Sequence, residues 1–563
     1  MGKKKKSKKK RVFEGVEQMP LAAISESDMS WNKTGSWRNI RPFYDPKTAP
    51  CIAGCPGQVD IQGYIQLMHK GEYENAVRLL WQKNPMPAIC GRVCYHPCTE
   101  ACARGGIEES LNIPAIERFL GDWAIEHGIK ETPDAEAKTD ANIAVVGGGP
   151  GGLSFAYFMA KEGYQVTVFE AKDELGGVLR YGIPEYRLPK DILDKEINRI
   201  IDLGITVKTG RDVGHDVPVE ELGKHTACFL AMGLQRSRKL GLDDEDAKGV
   251  MAGLTFLKGL NMGSPEDLGK RAIVIGGGNT AMDVARSAIR LGTEVEVVYR
   301  RTRNEMPAIE DEVEEAIAEG AKFTFLAAPV AVLTKNGRFT GIRAQKMELG
   351  EPDDSGRRRP VPVKGSEYEI MADSLLVAAG ELSEAETFGN IVKLSNGLIV
   401  TDDVGQTSDE HIFAGGDIVT GAATVIEAIA RGRKAAKYVH AKLSGVVEEP
   451  PNERQVITMS DINAAYFTPT RQVATTHRPL EEMKNRFDEV KQGLEEGEVR
   501  QEIDRCMSCG VCNGCDICWM FCPDAAISRE NGVYTINYDY CKGCMICAQE
   551  CPRGVISSER EGT

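Results

Sequence analysis

Long apolar runs are missing from this chain of 563 residues, and aromatic residues make up only 6% of it. Residues 141–160 carry no charge, but five glycines and a proline interrupt them, which is typical of a phosphate-binding loop and not of a membrane helix. The N-terminus, MGKKKKSKKKR, continues into polar sequence without the apolar core of a signal peptide. We therefore expect no transmembrane segment and a cytoplasmic location.

A surplus of positive charge is also missing, because the formal net charge is −14. Eight Lys or Arg residues lie between Lys3 and Arg11, so the rest of the chain is more acidic still. An acidic body argues against nucleic acid as a partner. We expect the basic tail to be a disordered solubilising arm; a docking segment for an acidic partner or membrane surface is the alternative.

Cysteine, in contrast, is abundant, with 17 residues. Without a secretion signal, so many thiols indicate metal ligands in a reducing compartment. Eight of them form two runs with the spacing C-x2-C-x2-C-x3-C-P, the bacterial ferredoxin pattern in which the fourth cysteine of each run binds the other cluster. The runs predict one 4Fe-4S cluster at Cys512, Cys515, Cys518 and Cys551, and another at Cys541, Cys544, Cys547 and Cys522. Zinc also binds C-x2-C pairs and is the alternative, but two identical runs that each end in proline favour clusters.

A first glycine-rich loop lies in the context of a dinucleotide-binding unit. The strand-like run 143–146 leads into Gly147, Gly149 and Gly152, a helix-like stretch follows, and the next strand-like run ends at Glu170. Such glycines let the backbone approach a pyrophosphate at a helix N-terminus, and the acid binds a ribose hydroxyl. The order of elements predicts a βαβ unit that suits FAD.

The same unit recurs with Gly276, Gly278 and Ala281 in the pattern GxGxxA, with Asn279 inside the loop. Here the position that corresponds to Glu170 is a tyrosine, and Arg300 and Arg301 follow it. An acid repels a 2′-phosphate, whereas an arginine pair can bind it. This second site is therefore expected to bind NADPH in preference to NADH, although NADH stays open.

A third segment has flavin character. Gly416 and Asp417 follow an apolar strand-like stretch and precede a predicted helix over 421–436. This arrangement places the aspartate near the ribityl oxygens and the helix N-terminus near the flavin ring.

Residues 140–440 resemble the small subunit of glutamate synthase and its relatives, including the NADPH-side half of dihydropyrimidine dehydrogenase and NADPH-ferredoxin oxidoreductases. The matching text includes GGVLRYGIP from Gly176, RLPK from Arg187, YRR from Tyr299 and AGGD from Ala414. The resemblance implies that FAD is held by Gly149, Glu170, Gly177 and Asp417. No C-x4-C pair follows the first glycine loop, so a dithiol reductase is disfavoured and Cys228 is expected to be a core thiol.

The remaining cysteines pose a counting problem. The resembling family carries two 4Fe-4S clusters in its N-terminal helical domain, but only six cysteines lie there: Cys51, Cys55, Cys90, Cys94, Cys98 and Cys102. We predict that Cys506 and Cys509 return to this domain and join Cys51 and Cys102, while Cys55, Cys90, Cys94 and Cys98 bind the other cluster. The alternative is that one N-terminal cluster is incomplete, since sequence alone does not fix cysteine connectivity.

These patterns predict a multidomain fold: a helical iron–sulfur domain, an NADPH-binding Rossmann-like α/β domain inserted in an FAD-binding one, and an α+β dicluster ferredoxin domain. The expected boundaries are 1–45 for the basic tail and arm, 46–135 for the helical domain, 140–260 and 386–445 for the FAD domain, 261–385 for the NADPH domain, 446–505 for a linker with a helix over 480–503, and 506–563 for the ferredoxin domain.

The predicted function is an electron-transfer oxidoreductase with FAD, NADPH and four 4Fe-4S clusters. Hydride transfer between nicotinamide and flavin demands no acid or base side chain, so no catalytic residue is assigned. The expected partner is a ferredoxin or another iron–sulfur protein in a hetero-oligomer. NKTGSWR from Asn32 is similar to the leader of the ferredoxin-like subunit of 2-oxoacid oxidoreductases, which favours such a complex. A true glutamate synthase small subunit and a non-catalytic wiring subunit are the alternatives.

Overall fold

The computed structural model describes residues 32–136, 138–353, 356–446 and 454–561. The basic run Lys3–Arg11 and the Pro450-Pro451 pair therefore lie outside the described residues. The chain divides into two compact units, one formed by residues up to Pro46 together with Cys512 onward, and the other by Lys47–Val511. Within the described residues, no helix has both the length and the apolar character needed to cross a membrane.

The larger unit begins with a helical region. Proline opens several of its helices, and Asp60 and Asn112 cap two of them by accepting hydrogen bonds from backbone N–H groups in the first turn. Tyr64, Trp81 and Met86 are fully buried in its core. The helices span Pro50–Gly54, Ile61–His69, Tyr73–Trp81, Pro87–Val93, Pro97–Glu100 and Ile113–Glu126.

A five-stranded parallel sheet, called the first sheet, follows. Its strands lie in the order Ile412–Ala414, Ala227–Leu230, Lys138–Val146, Tyr164–Phe169 and Thr206–Lys208. The helices Pro150–Lys161, Lys190–Ile201 and Val425–Ser444 belong to this part of the chain. One edge strand comes about 180 residues after its neighbour in the sheet, so the intervening chain forms an insertion.

That insertion builds the second sheet, also parallel, in the order Lys322–Phe325, Glu294–Tyr299, Arg271–Ile275, Ser374–Val377 and Val250–Ala252. Its helices are Gly253–Asn261, Asn279–Arg290 and Glu310–Glu319. An antiparallel sheet accompanies it, formed by Ala327–Lys335, Arg338–Pro352, Arg358–Pro362 and Tyr368–Met371. The edge strand Val250–Ala252 precedes the boundary expected at residue 261, because a short strand of intermediate burial gives little sequence signal.

Residues 454–511 are not a free linker. Leu494, Val499 and Ile503 share a buried core with the N-terminal helices. The single helix predicted over 480–503 is wrong, because the structure has two short helices, Leu480–Met483 and Glu496–Asp504. Asn485 has a φ of +58°, a left-handed conformation that a helix cannot continue through.

The smaller unit joins the two ends of the chain. Its helices Ile517–Met520 and Ile546–Gln549 each begin just before the third cysteine of a run, and the strands Ile527–Glu530 and Val533–Ile536 form a hairpin. The strand Ile40–Tyr44 pairs antiparallel with Ile556–Arg560. Residues 40–44, expected as part of an N-terminal arm, are therefore an integral strand of this unit.

Candidate functional sites

A cavity of about 290 Å³ lies at the carboxyl edge of the first sheet. Six of the residues predicted to bind FAD line it: Gly147, Gly149, Glu170, Gly177, Gly416 and Asp417. Gly147 has a φ of +101°, and a Cβ there would come within 2.5 Å of the carbonyl oxygen of Ala231. Gly152 lies in the following helix, where a Cβ would collide with the carbonyl oxygen of Gly147. Both glycines are thus required by close backbone packing at the loop.

The two carboxylates predicted to bind FAD, Glu170 and Asp417, differ in their surroundings. Glu170 accepts hydrogen bonds from the backbone N–H groups of Gly148 at 2.7 Å and Lys172 at 2.9 Å. Burial nevertheless raises its pKa. Burial also raises the pKa of Asp417 to about 7. Asp417 is therefore poised to present either a proton or a lone pair to a polar group in the cavity.

The second glycine loop reaches the same cavity, which we call the flavin cavity. Thr280, which lies between Asn279 and Ala281, lines the flavin cavity and donates a hydrogen bond to Glu381 at 3.3 Å. Asn279 accepts a hydrogen bond from the backbone N–H of Ile309 at 2.9 Å. Gly276 has a φ of +145°, which a glycine adopts without strain. Gly276, Gly278, Asn279 and Ala281 thus form a strand-to-helix turn at the carboxyl edge of the second sheet, beside the flavin cavity.

A second cavity, of about 680 Å³, adjoins the flavin cavity and shares Lys172, Gly177 and Tyr181 with it. Residues of the second sheet's Val250–Ala252 strand also line it. Basic residues outnumber acidic ones in its lining, with Lys172, Arg236, Arg238, Lys239 and Lys258 against Glu245 and Asp246. This positive charge favours a phosphate-bearing ligand in the cleft.

The two arginines that follow Tyr299 have different surroundings. Arg301 is buried, donates a hydrogen bond to the carbonyl of Arg358 at 2.7 Å and forms an ion pair with Asp353 at 2.5 Å. Arg300 is exposed, and partial desolvation with the neighbouring Arg301 charge lowers its pKa. Arg301 thus has an internal partner, and Arg300 is the guanidinium that faces solvent at the end of this strand.

Four N-terminal cysteines, Cys55, Cys90, Cys94 and Cys98, lie close to one another. Burial raises the pKa of the Cys94 thiol to about 12, with further contributions from the charges of Glu117 and Cys55. Burial also raises the pKa of Cys90 and Cys98, and the charges of Cys94 and Cys55 add to it in both. The backbone N–H of His96 donates to the sulfur of Cys94 at 3.4 Å. Clustered thiols with backbone donors fit a 4Fe-4S cluster.

The other N-terminal group contains chain segments that are about 400 residues apart. Cys51, Cys102, Cys506 and Cys509 line one small cavity. Burial raises the pKa of Cys51 well above its usual range, and the charges of Cys506, Cys102 and Cys509 follow as causes. Arg505 anchors the returning segment by donating hydrogen bonds to Glu502 at 2.6 Å and to the carbonyl of Ser110 at 3.1 Å.

Two further groups lie in the smaller unit. Cys512, Cys515, Cys518 and Cys551 line one small pocket, and Cys522, Cys541, Cys544 and Cys547 line another. The backbone N–H of Ala526 donates to the sulfur of Cys522 at 3.2 Å. Among the described residues, no three His, Cys, Asp or Glu side chains are gathered as around a single metal ion. The two groups contain the same four cysteines each that the bacterial ferredoxin spacing predicts.

Cys228, the cysteine left over from the four groups, lies in the strand Ala227–Leu230 of the first sheet. It is 2% exposed, burial raises its pKa to about 12, and its thiol donates to the carbonyl of Leu222 at 3.2 Å. A thiol so buried and protonated is a packing group and not a redox nucleophile.

Sequence reasoning missed an ion-pair network between the two sheets' domains. Arg187, in the family-like RLPK text, pairs with Asp283 at 2.8 Å and with Glu312 at 3.0 Å. Arg286 pairs with Glu312 at 2.6 Å. The network joins the segment before the helix Lys190–Ile201 to two helices of the second sheet, so it fixes one domain against the other. Only the resemblance of RLPK to the family pointed to this position.

Three family models match the chain. Pyridine nucleotide-disulphide oxidoreductase matches residues 141–432, dihydropyrimidine dehydrogenase domain II with a 4Fe-4S cluster matches 43–129, and a 4Fe-4S binding domain matches 534–557. These matches confirm the expected nucleotide-binding and iron–sulfur character.

Curated relatives agree. The NADP(+)-dependent formate dehydrogenase subunit beta of Moorella thermoacetica is 39% identical over 506 residues, which cover 83% of this chain and 71% of that protein. The NADPH-Fe(3+) oxidoreductase subunit beta of Geobacter sulfurreducens is 34% identical over 517 residues, covering 84% and 76%. The glutamate synthase [NADPH] small chain of Escherichia coli is 35% identical over 413 residues, covering 69% and 87%. The predicted resemblance to that small subunit is confirmed. The chain belongs to the pyridine nucleotide-disulphide oxidoreductase family, and it is an NAD(P)H-dependent flavin and iron–sulfur electron-transfer oxidoreductase.

Proposed function

We propose that the chain holds one FAD and four 4Fe-4S clusters and transfers electrons between NADPH and an iron–sulfur partner protein. The observation that carries this proposal is the gathering of sixteen cysteines into four groups of four, including the group that draws Cys506 and Cys509 to Cys51 and Cys102. Each group supplies the thiolates that one cubane needs. So many thiolates require a reducing compartment, so we place the protein in the cytoplasm.

When bound, FAD exchanges electron pairs with nicotinamide and single electrons with the clusters. The protein's own part is to bind and orient these groups. Gly147 and Gly149 let the backbone approach a pyrophosphate, and Glu170 offers its carboxylate to a ribose. Gly177, Gly416 and Asp417 line the same cavity, and Gly177 packs against Gly149, since a Cβ on Gly177 would come within 3.0 Å of the Cα atom of Gly149.

NADPH selection is assigned to Arg300, because Arg301 is engaged with Asp353 and the carbonyl of Arg358. An exposed guanidinium can pair with a 2′-phosphate in a bidentate, charge-assisted contact. Arg301 then holds the strand end in place for its neighbour. Gly276, Gly278, Asn279 and Ala281 form the loop that receives the pyrophosphate of this nucleotide.

Anaerobic stopped-flow reduction of the bound flavin tests this assignment. Arg300→Ala should weaken NADPH binding by roughly 1 to 3 kcal/mol, or about fivefold to 150-fold, and leave NADH binding unchanged. Arg343→Ala is the matched control, since Arg343 is a comparably exposed arginine paired with Glu369 at 3.2 Å elsewhere in the same domain. A similar loss for both nucleotides in the Arg300 variant would reject the 2′-phosphate contact.

The partner is proposed to be an iron–sulfur subunit or a ferredoxin. Two relatives are named as beta subunits, which supports a hetero-oligomer. Cys512, Cys515 and Cys544 are exposed, so clusters held in the smaller unit lie near the surface, where electrons can pass to another protein. Reconstitution with a ferredoxin under NADPH tests this: cluster reduction on the ferredoxin is expected, and its failure with a fully loaded enzyme would count against a ferredoxin-type acceptor.

The likeness to a glutamate synthase small chain supports a second candidate, service to an amidotransferase subunit. Residues 512–563 weigh against it, since electrons that pass directly to such a subunit would not need two further clusters. Co-purification with a large amidotransferase chain would favour this second candidate.

A further inference from the structure

Arg433 is a buried cation without a full set of partners. It lies in the helix Val425–Ser444, is 8% exposed, and its Nη1 atom is buried with no hydrogen-bond partner in the described part of the chain. Burial lowers its pKa to about 10, and the charge of Cys55 acts in the opposite direction. An arginine in these surroundings keeps its proton at neutral pH.

The position of this helix connects two sites. Ala428 lines the flavin cavity. Ile426 contacts the loop after Cys55, because a Cβ on Gly57 would come within 2.9 Å of its Cδ1 atom. Arg433 is seven residues after Ile426 and therefore lies on the same helix face. One helix thus contacts the flavin cavity at one side and the loop that follows Cys55 at another. Cys55, Cys90, Cys94 and Cys98 are together called the Cys55 group.

An unpaired buried guanidinium is unfavourable by several kcal/mol in general, so a nearby anion is expected when the protein is loaded. The Cys55 group supplies one. A cubane with four thiolates carries a net negative charge, and each electron that it accepts makes the charge more negative.

We propose that Arg433 sets the reduction potential of the cluster held by Cys55, Cys90, Cys94 and Cys98, and thereby makes it the first acceptor of electrons from the flavin. The inference depends on the proposed cluster ligation. In the step it governs, one electron leaves reduced FAD and enters the cluster, while the guanidinium keeps its proton. A fixed cation stabilises the more negative, reduced cluster over the oxidised one.

The test is a redox titration of the purified full-length enzyme, followed by low-temperature electron paramagnetic resonance. Arg433→Met removes the charge, Arg433→Gln removes it while keeping a hydrogen-bond donor, and Arg433→Lys keeps it. Lys434→Met is the matched control, because Lys434 is the next residue of the same helix and is exposed. Cys94→Ser identifies the signal that belongs to this cluster.

Arg433→Met and Arg433→Gln should each lower the equilibrium constant for electron transfer from flavin to this cluster at least tenfold, which is about 59 mV for a one-electron couple. Arg433→Lys should retain most of the potential, and Lys434→Met should not shift it. If Arg433→Met fails to assemble the cluster, the Gln and Lys variants decide the question.

Different results would overturn the cluster ligation and the role of Arg433. If the resonance spectrum of Cys94→Ser retains every cluster signal of the wild type, the proposed ligation is overturned. An assigned cluster with the same potential in the wild type and in the charge-removing variants would overturn the role of Arg433 alone. Equal shifts in Arg433→Lys and Arg433→Met would also overturn it, since packing and not charge would then be the cause.

Discussion

The double change Cys506→Ser and Cys509→Ser bears most directly on how this chain is assembled. If these thiolates complete a cluster with Cys51 and Cys102, the variant should hold about twelve iron atoms per chain in place of about sixteen, because a cubane with two of four thiolates does not assemble stably. Serine is close in size to cysteine, and the preceding helix stays anchored by Glu502. The FAD content should therefore not change.

Two controls make the result specific. Cys512→Ser with Cys515→Ser should lose the same amount of iron but a different resonance signal, because these residues lie in the other unit. Cys228→Ser should lose no iron, since Cys228 is alone in the first sheet. Iron analysis with low-temperature resonance distinguishes the variants. Retention of all four clusters in the Cys506/Cys509 variant would refute ligation across the chain.

Three further outcomes are expected. Glu502→Ala should lower the free energy of unfolding by roughly 3 to 5 kcal/mol in thermal unfolding. The buried carboxylate binds Arg505 at 2.6 Å and the backbone N–H of Asn112 at 2.7 Å, and both contacts would be lost. An equal loss of stability in Gln501→Ala, a change at an exposed site, would contradict the reasoning. Asp417→Asn should make apoprotein stability less sensitive to a rise in pH between 3.8 and about 7: the usual pKa of the aspartate is 3.8 and the folded value about 7, so only the unfolded wild type is ionised between them. The wild type should then lose up to about 1.4 kcal/mol per pH unit relative to the variant across that window, with no further change above it; a pH-independent difference would contradict burial as the cause. Deletion of residues 1–45 should make the clusters of the smaller unit labile, because it removes the strand that pairs with Ile556–Arg560. Deletion of residues 1–31 should not, and resonance spectra distinguish the two variants. If the clusters are equally labile in both variants, the strand is dispensable.

Local patterns in the sequence were sufficient for the nucleotide-binding units. Each glycine loop stands between a strand and a helix at the predicted place, because the motif and its periodicity lie within about thirty residues. The cysteine groups could be predicted from the sequence for another reason. Ligand counting imposes a constraint that does not depend on distance along the chain, and it brought Cys506 and Cys509 into the argument. Their ligation stays a prediction.

Features that depend on tertiary contacts could not be predicted from the sequence. The ion pair of Arg301 with Asp353 joins a strand end to a loop about fifty residues later, and no local signal announces it. The break in the predicted helix over 480–503 depends on contacts of the same kind. Val490 donates its backbone N–H to the carbonyl of Tyr186 at 3.0 Å, so the segment follows the surface of the core instead of its own helical preference.

The ends of the chain give the most unexpected result, because together they build one unit. The backbone N–H of Gly35 donates to the carbonyl of Asp539 at 2.9 Å, and Arg38 donates to Glu561 at 2.8 Å. Gly35 and Arg38 belong to the sequence NKTGSWR, which resembles the leader of a ferredoxin-like subunit. In this chain the whole flavoprotein core lies between that sequence and the two ferredoxin cysteine runs. The core is thus inserted into a ferredoxin unit and not followed by one. Two covalent connections replace the single linker that the sequence suggests, and on the core side their ends are adjacent, since the N–H of Lys47 donates to the carbonyl of Gly510 at 2.8 Å. A truncation within the core therefore removes half of the ferredoxin unit along with the residues after the cut, so neither part can be isolated by one cut.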